Sequence, residues 1–325
     1  MSALPGLWVE LLDDDVVERA LPTLAKHVGR VHLALGVERV GDPSFARLSR
    51  KATDLGLAVW LWPLFPFEQG YWLGEHNAAL LPALMRDVLS WRRRREGVAC
   101  QGVSFDLEPA HDYARELRRR PVHRLFELLV RHVEPERFEV ARVHLGRAID
   151  VLHVAGVEAH AVTFPLVLDC PAGCTVLEDA LDIPLSDLDW DEASFMVYQT
   201  AFAELVGTWL GPSLVFAYAK SAVERFGARA GLDLGVVGAP AVGLGERFRY
   251  PAPAALHQDL AAAQAAGIPP ERLRVYGLAG VLQEGGTARW LSPLPRQRRP
   301  EPSRAVVGMR HLVHGLATAL TLGSK

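Results

Sequence analysis

Short apolar segments alternate with amphipathic segments along the whole chain, and this alternation limits the folds that it can adopt. The apolar segments predict eight strands, near residues 6–11, 30–35, 57–62, 102–108, 158–164, 194–199, 234–239 and 273–278. Helical patterns lie near residues 15–28, 43–55, 77–95, 135–155, 212–230, 252–266 and 303–320. Only the connection from the fifth strand to the sixth lacks a clear long helix. Because alternating strands and helices are typical of α/β proteins, eight such repeats in 325 residues predict a (β/α)8, or TIM, barrel.

The main alternative is a doubly wound open sheet. In that fold, glycines in the first strand-to-helix turn let the backbone approach a dinucleotide. The corresponding turn here, Leu11 to Asp15, contains no glycine. We therefore favour the barrel, and we expect a single domain over residues 1–325 with decorated strand-to-helix loops. A helical insertion at about residues 110–134 would overhang the end of the fourth strand.

The charge balance and the apolar pattern argue against several classes of partner. The chain has 35 basic and 38 acidic residues, so its net charge is -3. It lacks the overall basic field that attracts nucleic acid or an anionic membrane. No apolar run approaches the roughly 20 residues that a membrane span needs. The first residues lack the basic and long apolar segments of a signal peptide, so we expect a cytoplasmic protein that binds neither nucleic acid nor membrane.

The cysteines give little information about function. Cys100, Cys170 and Cys174 are too few for a disulfide scaffold or a four-ligand zinc site. Reduced thiols are the expectation. Cys170 and Cys174 are separated by Pro-Ala-Gly, and a bridge between them stays open.

Two carboxylates end the fourth predicted strand. Side chains i and i+2 of a strand point to the same face, about 7 Å apart at a rise of roughly 3.3 Å per residue. Asp106 and Glu108 therefore share a face, and Pro109 ends the hydrogen-bonding ladder just beyond them. Catalytic groups of TIM barrels lie at the C-terminal ends of the strands. The sequence thus predicts a site at this strand end.

Polar and aromatic residues follow two other predicted strands. The sixth ends in Tyr198 and Gln199, which have no obvious place in a core. The third contains Trp62, and the loop after it carries Tyr71 and Trp72. These three rings are candidates to stack on a ligand, whereas Trp60, inside the strand, is predicted to belong to the barrel core.

These strand ends resemble one known family. The stretch Gln101 to Glu108 resembles the fourth-strand signature of the family 18 glycoside hydrolases, the chitinase-like enzymes, which runs Asp-Gly-x-Asp-x-Asp-x-Glu, and its last two acids match. Met196 to Gln199 resembles the sixth-strand Met-x-Tyr-Asp of that family. Ala161 to Pro165 is similar to its fifth-strand approach to a proline. The three matches are short and occur in the order of the family.

The resemblance implies a retaining hydrolase that cleaves a glycan containing N-acetylhexosamine. Glu108 would be the general acid and base, Asp106 would orient the acetamido group, and Tyr198 would hydrogen-bond it. The acetamido oxygen would act as nucleophile, so this class needs no second carboxylate for that role. Gln199, Trp62, Tyr71 and Trp72 would contact the sugar. The implied partner is a carbohydrate, with no cofactor and no metal.

Several positions depart from the family pattern and leave two alternatives open. Gln101, Ser104 and Gln199 replace acids of the signatures, and the eighth strand lacks the usual tryptophan. A barrel that binds a glycan or a protein without catalysis would account for these losses.

The second alternative is a metal-dependent isomerase or hydrolase. Glu10, Asp106 and Glu108 would supply oxygen ligands in such a site, together with His32 or His160. Both histidines lie within predicted strands, where a core position is the commoner environment.

Overall fold

Eight parallel strands form a closed barrel in which each strand pairs with the next one along the chain, and the last strand pairs with the first. The computed structural model describes residues 5–119, 122–171, 173–238, 249–291 and 296–323. The predicted (β/α)8 barrel is confirmed. The strands are β1 Gly6–Val9, β2 Arg30–Gly36, β3 Ala58–Leu64, β4 Gly102–Leu107, β5 Glu158–Thr163, β6 Glu192–Met196, β7 Ala230–Leu234 and β8 Leu273–Tyr276.

Helices cover the outside of the barrel and fill its connections. Those in the described part of the chain are α1 Asp14–Leu24, α2 Pro43–Asp54, α3 Leu81–Arg92, α4 His111–Arg119, α5 Val122–His132, α6 Pro135–Val154, α7 Val176–Ala180, α8 Gln199–Val206, α9 Pro212–Phe226, α10 Pro253–Ala265, α11 Leu278–Gln283, α12 Thr287–Leu291 and α13 Arg304–Gly323. The fifth connection carries only a short helix, α7, as its sequence predicts. Helices α4 and α5 lie where the insertion after the fourth strand is expected. The extent of the domain remains a prediction.

Local signals fix several of these boundaries. The side chain of Asp42 accepts a hydrogen bond from the N–H of Ser44 and caps α2, with Pro43 at the first helical position. Gly156 follows α6 with φ of 65°, a left-handed conformation that suits glycine. Gly231, which the sequence places just after α9, instead lies inside β7.

The sixth and seventh strands begin earlier than the sequence predicts. Strand β6 begins two residues and ends three residues earlier than predicted, and β7 ends at Leu234, where the predicted strand begins. The prediction of β7 was wrong because Gly235 to Val237 is a continuous apolar run, whereas the true strand contains a charged residue, Asp233. Asp233 is buried inside the barrel, where an ion pair with Arg274 and hydrogen bonds stabilise its charge.

The barrel interior contains buried polar side chains beside its aromatic rings. Trp60 is buried there, as predicted, and stacks on His160 with ring centroids 3.9 Å apart. His32 Nδ1 lies 2.8 Å from the hydroxyl oxygen of Ser104, and His160 Nε2 lies 2.6 Å from Glu192. Burial lowers the pKa of His160 to about 4, so this histidine is neutral near pH 7. Both histidines are thus core residues with polar neighbours.

Arg274 forms the centre of a buried ion network inside the barrel. Its Nε donates to Asp233 at 2.7 Å, and its Nη1 donates to Glu192. Asp233 also accepts hydrogen bonds from the indole of Trp8 at 2.7 Å and from the hydroxyl of Ser194. Buried charges persist where they are paired and hydrogen-bonded in this way.

Helix α13 packs against the barrel at the end of the described chain. By length and by its mean hydropathy of 1.2 it could cross a membrane, which the sequence analysis did not anticipate, and 17% of its most apolar window is buried. Arg310 of this helix donates to Asp169 at 2.6 Å. The thiols of Cys170 and Cys174 lie nearby, 3.8 Å apart and unbridged.

Candidate functional site

The two carboxylates of β4 lie at the C-terminal rim of the barrel. Asp106 is 3% exposed and Glu108 is 9% exposed. The loop after β3 returns to this strand end, where the N–H of Leu73 donates to the carbonyl of Asp106 and the N–H of Glu108 donates to the carbonyl of Leu73, each at 2.9 Å. The backbone of Leu73 therefore fixes the backbone of both Asp106 and Glu108.

Burial controls the protonation of the acid pair. It raises the pKa of Glu108 to about 8, with a further contribution from the charge of Glu10 and against the attraction of Arg118. The pKa of Asp106 is raised well above its usual range by burial and then by the charges of Glu108, Glu10 and Asp233. Asp106 also hydrogen-bonds Glu108, which lowers the pKa of the latter. The pair therefore holds a proton near neutral pH.

Burial and the charge of Glu10 therefore raise the pKa of Glu108, whereas the hydrogen bond with Asp106 lowers it.

A third buried carboxylate, Glu10, follows β1. The hydroxyl of Tyr71 donates to its Oε1 at 2.7 Å, and the hydroxyl of Tyr276 donates to its Oε2. Burial raises the pKa of Glu10, and the two tyrosine hydrogen bonds oppose this effect. Because Glu10 acts electrostatically on both Asp106 and Glu108, the three acids form one group.

Tyr198 lies two residues after the end of β6, close enough to the same acids to be affected by their charges. Its ring centroid lies 5.9 Å from that of Tyr276. Burial, and then the charges of Asp233, Asp106 and Glu108, raises the pKa of its hydroxyl well above the usual range, so it is a hydrogen-bond donor at neutral pH. Within the described ranges, no residue hydrogen-bonds this hydroxyl. The structure thus brings Tyr198 together with the predicted acid pair.

Aromatic side chains form the wall of the site. Trp62 packs edge-on against Trp8 at 4.8 Å, and Tyr71 packs edge-on against Trp72 at 5.3 Å. Trp72 is only 4% exposed, whereas Phe67 is 51% exposed and stacks on Tyr71 at 4.5 Å. Sequence reasoning did not single out Phe67, although its position in an aromatic loop beside Tyr71 was a usable signal.

Gln199 points away from the acid pair. Its Nε2 donates to the carbonyl of Gly211 and lies 3.4 Å from Asp259. These contacts tie the first turn of α8 to α9 and α10. The structure therefore does not bring Gln199 together with Asp106, Glu108 and Tyr198.

The geometry also bears on the metal alternative. Over the described residues, no group of three or more histidine, cysteine, aspartate or glutamate side chains is arranged to hold a metal ion. Ser104 of β4 is paired with His160 of β5. Because Ser104 lies two residues before Asp106, both residues are on the N-terminal side of the acid pair. The two histidines thus contact Ser104 and Glu192 and do not complete a ligand set with Glu10, Asp106 and Glu108.

No protein-family model and no curated protein matches the chain. Solved structures match its fold along most of its length. The PgaB (BpsB) glycoside hydrolase domain from Bordetella bronchiseptica is 11% identical with a TM-score of 0.54, over 90% of this chain and 99% of that one. A class V chitininase from Pseudomonas fluorescens Pf-5 is 13% identical with a TM-score of 0.56, over 90% and 98%.

A third structure, GH5_18 from Streptomyces cattleya in complex with GlcNAc, is 13% identical with a TM-score of 0.50, over 85% of this chain and 71% of that one. These neighbours are glycoside hydrolases. At such identities the likeness shows that this chain shares the barrel fold with them.

Proposed function

We propose that this protein is a retaining glycoside hydrolase that acts on a glycan containing N-acetylhexosamine. The observation that carries the proposal is the buried pair of Asp106 and Glu108 at the end of β4, with the pKa of Glu108 raised to about 8. A carboxylic acid that stays protonated at neutral pH can protonate a leaving group. The glycoside hydrolases among the fold neighbours support the same class of reaction.

Each residue has a role in a substrate-assisted cycle. Glu108 gives its proton to the glycosidic oxygen as the bond from that oxygen to the anomeric carbon breaks. The acetamido oxygen of the same sugar attacks that carbon and forms a cyclic intermediate. Glu108, now ionised, then removes a proton from the water that attacks the anomeric carbon and opens the ring, which restores the acid.

Asp106 and Tyr198 position the acetamido group in this cycle. Oδ1 of Asp106 is buried and has no hydrogen-bond partner among the described residues, so it can accept the acetamido N–H. The hydroxyl of Tyr198 can donate to the acetamido oxygen. Trp62, Tyr71 and Trp72 line the sugar site, and the exposed ring of Phe67 extends it.

The test is the release of a fluorophore from a panel of N-acetylglucosaminide oligomers and other glycosides. We expect turnover by the native protein, a loss of about 100-fold or more in Glu108→Gln, and little change in Glu68→Gln, which alters an exposed carboxylate of the same rim. Wild-type-like turnover by Glu108→Gln would exclude the mechanism. EDTA should have no effect, whereas a strict dependence on added metal would favour the metal-dependent alternative.

A binding protein without catalytic activity is the second candidate. Ser104 stands where the signature has an acid, and its hydroxyl lies within hydrogen-bond distance of His32, which favours a binding protein. Glycan binding that survives Glu108→Gln, with no turnover of any glycoside by the native protein, would support this candidate.

A further inference from the structure

The carboxylate of Glu10 is held from two directions. Tyr71 comes from the loop after β3, and Tyr276 ends β8, and each donates to a different oxygen of Glu10. Hydrogen bonds to the ionised form of a carboxyl favour that form. Glu10 forms no ion pair with any residue in the described ranges, so the two tyrosine hydrogen bonds are the contacts that favour its ionised form against burial, which raises its pKa.

The segment that carries Tyr71 is also fixed to the acid pair. Leu73, two residues later, hydrogen-bonds the backbone of both Asp106 and Glu108. Tyr71 has φ of 68°, in the left-handed region that residues other than glycine rarely adopt. Such a conformation persists where the surrounding structure holds it. One short segment therefore sets the position of Glu10 relative to the pair.

We propose that Glu10 is a positioning residue: hydrogen bonds from Tyr71 and Tyr276 hold its carboxylate beside the acid pair, to which the Tyr71 segment is tied through Leu73. A negative charge held there favours the protonated form of the pair. The role rests on the proposed function, because that proton is the one that a general acid gives to the glycosidic oxygen.

The other groups that face the pair do not replace Glu10. They are Asp233 from β7, Arg118 from α4, Tyr71 from the loop after β3 and Tyr198 after β6. Asp233 is paired with Arg274, and its charge raises the pKa of Asp106 less than the charge of Glu10 does. The cation of Arg118 acts in the opposite direction, because it favours release of the proton. Glu10 is thus the acid beside the pair whose charge is not paired with a cation in the described structure.

The proposal is tested by titrating the pair with carboxyl-carbon NMR on the full chain, with Glu108→Gln used to assign the signals. In Glu10→Gln we expect the apparent pKa of the pair to fall by about 1 or more. Tyr71→Phe and Tyr276→Phe should lower it by less. Tyr218→Phe is the matched control, because Tyr218 is a buried tyrosine that donates to another carboxylate, Asp169, at 2.8 Å. An unchanged titration in Glu10→Gln overturns the proposal.

Kinetics give a second readout. We expect the alkaline limb of the kcat/KM profile to move to lower pH in Glu10→Gln. Compared with the native protein, kcat/KM should fall by about tenfold at pH values above this limb and by less than about threefold at pH values below it. Formation of a glycosyl azide by Glu10→Ala in the presence of azide would make Glu10 a nucleophile and overturn the positioning role. If Glu10→Gln does not fold, the two tyrosine variants carry the same test.

The NMR titration separates this proposal from the proposed function. A protein that hydrolyses no glycoside but shows the expected shift in Glu10→Gln would refute the glycosidase and retain the effect of Glu10 on the pair. Hydrolysis with an unchanged titration would retain the glycosidase and refute the role of Glu10.

Discussion

The indole ring of Trp60 occupies the space in which a side chain on Gly102 would lie. A Cβ built on Gly102 would stand 1.9 Å from the ring of Trp60, far inside van der Waals contact. The two residues are paired between β3 and β4. Because Asp106 and Glu108 lie at the C-terminal end of β4, this contact links the packing of the barrel interior to the position of the acid pair.

Gly102→Ala should therefore destabilise the protein strongly. The indole is confined by His160 and cannot move aside without disturbing the stack. We expect the free energy of unfolding to fall by about 3 kcal/mol, measured by urea denaturation. Gly308→Ala is the control, since its Cβ would meet nothing within 4 Å on α13. It should be neutral or stabilise by up to about 1 kcal/mol, and equal losses in the two variants would contradict the packing argument.

The sequence was sufficient to predict the barrel but not all of its strands. Periodicity locates β1 to β5 and β8, although β8 contains the buried charge of Arg274. It fails at β7, because the apolar run at residues 235–237 directly follows a strand that contains Asp233, whose partners Trp8, Ser194 and Arg274 are distant in sequence. A buried charge of this kind becomes interpretable only when those partners are known.

The candidate site was predicted in part for a similar reason. Asp106 and Glu108 are two residues apart, so the geometry of one strand brings them together. Glu10 is separated from Tyr71 by 61 residues and from Tyr276 by 266 residues, and only the closure of the barrel brings these side chains into contact. The exposure of Phe67 and the burial of Trp72 likewise depend on how the loop folds back onto β4.

Arg274→Met should be among the most destabilising single changes in the barrel. It would leave Asp233 buried without its cation, and Glu192 would keep only the cations of Arg30 and Arg272. We expect a loss of about 4 kcal/mol in the free energy of unfolding. Lys220→Met is the control, because the side chains of Lys220 and its partner Glu224 are both more than 60% exposed. That change should cost less than about 1 kcal/mol, and a comparable loss in both variants would contradict the prediction.

Glu108→Gln should stabilise the protein at alkaline pH. The pKa of Glu108 is about 8 in the folded protein and 4.5 in the reference state, so the folded state binds a proton that the unfolded state releases between these values. Stability of the native protein therefore falls as pH rises through this window. The glutamine variant lacks the ionisable carboxyl and should be more stable than the native protein at pH 8 by on the order of 3 kcal/mol.

Thermal unfolding at pH 4.5 and pH 8 checks the sign of this effect. The advantage of Glu108→Gln should be small at the lower pH and large at the higher one. Glu68→Gln, at an exposed position, should change the melting temperature little at either pH. A constant difference between Glu108→Gln and the native protein across the range would mean that the carboxyl titrates normally.

Tyr198→Phe should separate catalysis from stability. No described residue hydrogen-bonds the hydroxyl, so its removal should leave the melting temperature almost unchanged. If Tyr198 donates to the acetamido oxygen, kcat/KM on N-acetylglucosaminides should fall by about tenfold or more, with a much smaller effect on glycosides that lack the acetamido group. Tyr218→Phe should show the opposite pattern, because that hydroxyl donates to Asp169 in the protein interior. A loss on both kinds of glycoside in Tyr198→Phe would argue against recognition of the acetamido group.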